Sequence, residues 1–187
     1  MMTRSPTLGR PRRRSSPTPT LQTTGVADTD ALGAGGVFLR PGDWLFGHGQ
    51  VRVSTLLGSC ISIALWAPRM KVGAICHCLL PERPRPDRHA PLDGRYGSDA
   101  GEWMERQMRA CGCPWSEVEA SLAGGAGTGE SAIGTANIGW AQQWAAERGL
   151  VLAQQDVGGR VVRRLTFNLA DGSLTVAHGG RLGPAGD

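Results

Sequence analysis

The chain has 187 residues with 20 Lys and Arg against 16 Asp and Glu, a formal net charge of +4, and 40% hydrophobic residues. That length supports one ordinary domain with a real core plus a tail. The positive charge concentrates at Arg4, Arg10, Arg12, Arg13 and Arg14, leaving a nearly neutral body, which speaks against the folded basic stripe of a nucleic-acid surface. No stretch approaches the roughly 20 apolar residues that span a bilayer, so membrane insertion is not expected. After Arg14 the chain reads Ser-Ser-Pro-Thr-Pro-Thr, where a secretory signal needs an apolar run of about 7 to 15 residues. The expected compartment is therefore the cytoplasm, where the odd set Cys60, Cys76, Cys78, Cys111 and Cys113 reads as thiols rather than a disulfide framework.

Residues 1–36 are rich in Pro, Ser, Thr, Gly and Arg and lack large apolar side chains, so they read as a disordered tail. An ordered domain is expected over 37–178, followed by a flexible tail over 179–187. Within it, Ile61, Ile63 and Leu65 alternate with Cys60, Ser62 and Ala64, the period of a strand. Ala67-Pro68-Arg69-Met70 interrupts that run and Val72 to Leu80 resumes it, predicting a hairpin closed around Pro68. Residues 82–97 read as a long irregular loop of the kind that is often functional. Ser98 is placed to cap a helix from about Asp99 to Cys111, with Ala100, Trp103, Met104 and Met108 on one face and Gly112 as its stop. A second helix is expected from about Thr135 to Arg148, with Ile138, Ala141, Trp144 and Ala145 on one side. Strands follow at 150–154, 161–169 and 173–177, the last two joined across Asp171-Gly172. The order strands, helix, helix, strands predicts an α/β (α+β) single domain with a mixed, largely antiparallel sheet packed with two main helices.

Cys60 and His77 carry the first chemical signal. A hairpin turning at Pro68-Arg69 places them opposite each other on one face, at a distance suited to a thiolate–imidazolium pair. Gly58-Ser59 lets the backbone turn tightly before Cys60, so exposed N–H groups could hold a developing oxyanion. Ser54 and Thr55 are hydroxyl candidates for orienting the imidazole or binding substrate. The same residues also read as an ordinary turn, two strand residues and a small buried thiol, and the residues alone leave both readings open.

The blocks Ser54-Thr55-Leu56-Leu57-Gly58-Ser59-Cys60, Gly73 to Pro81 around His77, Gly124-Gly125-Ala126, Asn137-Ile138-Gly139 and Asp156-Val157-Gly158-Gly159 follow one another along the chain. In content and order they resemble the chemoreceptor glutamine deamidase family, CheD, over nearly the whole expected domain. The resemblance implies a Cys60 nucleophile, a His77 base and a third residue supplying a hydroxyl, whose position falls on Ser54 with Thr55 adjacent. It implies hydrolysis of receptor glutamine amides to glutamate and ammonia, some methyl-ester hydrolysis, and no metal or other cofactor. The cytoplasmic helices of chemoreceptors would be the substrate, and a CheC-type phosphatase a further partner. A non-catalytic adaptor of the same fold, binding receptors or such a phosphatase, is the competing reading.

Two other motifs carry less. The run at 124–129 lacks the Gly-Lys-Ser/Thr ending of a phosphate loop and does not match G-x-G-x-x-G. Cys76-His77-Cys78 with Cys111-Gly112-Cys113 lacks the usual C-x₂₋₄-C spacing of zinc sites, and strand alternation turns His77 away from both flanking thiols.

Overall fold

A computed structural model describes residues 22–23, 36–84, 89–127 and 132–182. Most of the expected N-terminal tail and the last five residues of the C-terminal one lie outside the described residues. The elements run β1 (Gln22–Thr23), β2 (Gly36–Phe38), β3 (Trp44–His48), β4 (Arg52–Leu57), β5 (Ile61–Ala67), β6 (Val72–Cys76) and α1 (Gly97–Ala110). After a short 3₁₀ turn at Trp115–Glu117 come β7 (Glu119–Gly124), α2 (Ala132–Glu147), β8 (Val151–Val157), β9 (Val161–Asn168) and β10 (Leu174–Arg181). One sheet has the order β1-β3-β6-β5-β7-β8 and the other β10-β9-β4-β2. Only β7–β8 and β2–β4 pair in parallel, so the domain is the expected α+β mixture of largely antiparallel sheet and two helices.

The layering follows from the two faces of β5, which is buried along its length. Ile61, Ile63 and Leu65 pack with Trp103, Met104, Met108, Trp144 and Ala145 of the helices. Ala64 and Trp66 point the opposite way, into a second core with Val53 and Leu57 of β4 and Leu165 and Phe167 of β9. The six-stranded sheet is thus sandwiched between helices and the second sheet, which explains why β5 reads as almost continuously apolar.

Several local features differ from the sequence expectation. α1 begins at Gly97 after Tyr96, and Ser98 is not its cap. The first free N–H groups are satisfied by backbone instead: Gly97 N donates to Leu80 O and Ser98 N to Pro81 O. Gly112 ends the helix as expected, at φ +79. A strand, β7, lies between the helices, where Glu-Ala-Ser-Leu-Ala-Gly offers little β-propensity and is held by neighbours on both sides. The β5–β6 hairpin also turns later than predicted, with Ala64 opposite Ile75 and Ile61 bridged to Cys78. Pro68 to Lys71 all belong to the turn, and Lys71 takes the left-handed conformation at φ 51. Cys60 is therefore not directly opposite His77. The shift is two residues, however, and a period-two strand keeps the same face under such a shift.

Candidate active site

His77 lies just beyond β6 and is held on both backbone sides by the loop between β2 and β3: its N–H donates to Asp43 O (2.9 Å) and its carbonyl accepts from Gly42 N (2.8 Å). That loop is itself closed by Arg40 N donating to Asp43 Oδ2 and by Asp43 N donating to Arg40 O. The sequence reading passed over Leu39 to Asp43, although Pro41-Gly42-Asp43 is a turn signal.

The His77 ring is 2% exposed, and its Nδ1 lies 2.7 Å from Thr55 Oγ1. The Thr55 hydroxyl also sits 2.8 Å from the Leu39 carbonyl, to which it must donate. A hydroxyl has one proton, so Thr55 gives it to Leu39 and accepts from Nδ1–H. This fixes the tautomer and leaves the lone pair on Nε2, which is buried without a hydrogen-bond partner among the described residues. The residue that reaches the imidazole is thus Thr55 and not Ser54. Along β4, Val53, Thr55 and Leu57 face the inter-sheet core while Ser54 and Leu56 face away, and Ser54 Oγ has no partner among the described residues. The family resemblance pointed to Ser54 with Thr55 adjacent; the hydroxyl hydrogen-bonded to the ring is that of Thr55.

Cys60 is partly buried and packs against the same inter-sheet core, the side on which His77 meets Thr55. Three consecutive carbonyls position its loop: Gly58 O accepts from Ala126 N (2.8 Å), Ser59 O from Asn137 Nδ2 (2.8 Å) and Cys60 O from Gly125 N (2.7 Å). In a trans peptide the N–H points opposite to the preceding C=O. The N–H groups of Ser59 and Cys60 are therefore aimed away from the Gly125-Ala126 segment and α2, as a pair of neighbouring donors. Gly58 and Ser59 thus sit where the sequence put them, as the turn that presents the cysteine. Asn137 was missed as a site neighbour, although a lone amide on an otherwise apolar helix stripe was a readable signal.

Burial sets the protonation states. It lowers the His77 pKa to about 4, against a smaller opposing effect of the Leu39 carbonyl. It pushes the Cys60 thiol up, with the residue's own amide N–H working the other way. Both shifts favour the uncharged forms, a thiol and a neutral imidazole, over the thiolate–imidazolium pair expected from the hairpin. His77 Nε2 makes no hydrogen bond to Cys60 Sγ among the described residues. Of the remaining thiols, Cys78 is bridged through its backbone to Ile61, the residue after Cys60. Cys76 and Cys78 are buried with their sulfurs 3.4 Å apart, and Cys111 and Cys113 meet at 3.0 Å beyond the end of α1.

The family model described as CheD chemotactic sensory transduction matches residues 79–178. The probable chemoreceptor glutamine deamidase CheD 3 of Dechloromonas aromatica is 42% identical over 147 residues, covering 75% of this chain and 86% of that one. The probable chemoreceptor glutamine deamidase CheD 1 of Chromobacterium violaceum is also 42% identical over 147 residues, covering 75% and 76%. A CheD of the same description from Pseudomonas syringae pv. syringae is 35% identical over 158 residues, covering 79% and 86%. With the family model matching more than half of the chain and these relatives matched over most of their length, the chain belongs to the CheD family.

Proposed function

We propose that this chain is a cytoplasmic protein-glutamine deamidase acting on the cytoplasmic helices of chemoreceptors, with Cys60 as nucleophile, His77 as base and Thr55 orienting the base. The observation that carries the reading is the Leu39–Thr55–His77 relay, which leaves an unpaired Nε2 on the side of the sheet where Cys60 lies. The names of the relatives supply the substrate class. A CheC-type phosphatase as second partner rests on the family resemblance alone.

Cys60 Sγ attacks the side-chain carbonyl carbon of a glutamine while its proton passes to His77 Nε2. The resulting oxyanion is received by the N–H groups of Ser59 and Cys60. His77, now cationic and steadied through Nδ1–H by Thr55, returns the proton to the amide nitrogen, and ammonia leaves as the thioester forms. Water then attacks the thioester, giving its proton to Nε2. The tetrahedral state collapses to glutamate, and the proton returns to the Cys60 sulfur. Each turnover replaces a neutral amide by a carboxylate on a receptor helix, a local charge change able to bias a two-state signalling element. Ammonia release from a glutamine-bearing receptor fragment tests the reading. Release should require both Cys60 and His77, and full release by Cys60→Ala would overturn it.

A further inference from the structure

The buried face of α2 is lined by Gly134, Ala141, Trp144 and Ala145, and among them stands Asn137, with no exposure at all. Its Nδ2 donates to Ser59 O (2.8 Å) and to Leu79 O (2.9 Å), while its Oδ1 has no partner among the described residues. Because both neighbours are carbonyl oxygens, the nitrogen must be the atom that faces them. The enclosed Oδ1 is unfavourable, but the same amide satisfies two carbonyls that an apolar residue on this stripe would leave unpaired. What the amide provides is a bridge: Ser59 immediately precedes Cys60, and Leu79 follows His77 by two residues. A single group thus ties the nucleophile loop to the segment that carries the base. By holding the Ser59 carbonyl it also holds the peptide plane whose other end is the Cys60 N–H.

The geometry points to Asn137 as a positioning residue for the acyl-transfer step, keeping the Cys60 N–H aimed at the oxyanion. This rests on the deamidase reading above. Oxyanion donors act only in tetrahedral states, so loss of the clamp lowers kcat and leaves KM nearly unchanged. Alkylation of Cys60 by iodoacetamide forms no oxyanion and serves as the internal control.

The test uses the full chain with Asn137→Ala and, to keep the site filled, Asn137→Leu. For each, kcat and KM on a receptor fragment, the rate of Cys60 alkylation and the folded fraction by circular dichroism are measured. Expected are folded variants with kcat lowered by about 10- to 100-fold, KM within about twofold and alkylation within about threefold of wild type. A folded variant with wild-type kcat, or kcat and alkylation falling together, would overturn the proposal, as would failure of both variants to fold. If the wild type itself releases no ammonia, the deamidase reading falls and this proposal with it. That failure is distinct because it appears with Asn137 intact.

Discussion

Ser54 and Thr55 are adjacent, both buried, and differ in what their hydroxyls touch. Thr55→Val removes the acceptor for Nδ1 and the donor to Leu39 while keeping the shape, so it should lower turnover by about 10- to 100-fold and cost about 1–2 kcal/mol of stability. Ser54→Ala removes only an unpaired hydroxyl and should leave turnover within about twofold, with a melting temperature unchanged or raised. Parallel rate assays and melts separate the two, and equal damage would contradict the Thr55 assignment. The His77 pKa of about 4 gives a second expectation. Between pH 6.5 and about 4 the unfolded chain takes up a proton that the buried ring refuses. Stability is therefore complete above 6.5 and is lost as pH falls toward 4, by roughly 3 kcal/mol. Urea unfolding at pH 7 and pH 4.5 should show this loss in wild type and a smaller one in His77→Gln; an identical loss in both would contradict it. The acid limb of kcat/KM should likewise fall near pH 4 rather than 6.5. At this scale the sequence showed which residue types were present, and placed Cys60 and His77 on one face. It could not show which hydroxyl was in reach, because that depends on which face of β4 looks across to the other sheet, nor the neutral resting pair, because that depends on desolvation.

α2 reaches the Gly58–Cys60 loop because its first turn comes against the Gly125-Ala126 backbone. A Cβ at Gly134 would lie 2.6 Å from Gly125 O and 2.7 Å from Ala126 O, both backbone atoms that cannot move aside cheaply. Gly134→Ala should therefore displace the helix, cost about 1–3 kcal/mol and lower turnover by shifting Asn137 one turn away. Gly139→Ala lies on the same helix with nothing within 4 Å of the added methyl. It should raise stability by about 0.5–1 kcal/mol and leave turnover alone. Melting curves and rate assays on the pair check this, and matched behaviour would contradict the close approach. α1 was legible from its apolar stripe, and α2 and the β5–β6 hairpin from their apolar runs between turn residues, because burial of one or both faces writes itself into the sequence. β7 was not, since Leu122 is its one large apolar side chain and its small residues offer little β-propensity. The cap of α1 was not, since it is made by the carbonyls of Leu80 and Pro81 rather than by a side chain.

In the whole molecule the proposed site lies between the two sheets, with Thr55 from one sheet and Cys60 and His77 from the ends of strands in the other. The long loop ahead of α1 is anchored by Asp99, which accepts from Arg83 Nε (2.8 Å) and from Asp93 N (2.9 Å). No helix among the described residues is long and apolar enough to cross a membrane. Of the N-terminal segment, Gln22 and Thr23 pair with Phe46 and Leu45 at the sheet edge. Among the described residues, deleting 1–33 removes that short pairing. The melting temperature should fall by no more than about 4 °C and deamidation should stay within about twofold; a larger loss would assign the segment a structural role. The central claim is that the Cys60 sulfur performs acyl transfer on receptor glutamines. Its most direct test is mass spectrometry of a receptor cytoplasmic fragment after incubation with wild type and with Cys60→Ala. Wild type should add about 1 Da at specific glutamines, the difference between amide and acid, and Cys60→Ala should add none while remaining folded. Equal mass gain with both proteins, or none with wild type, would contradict the account.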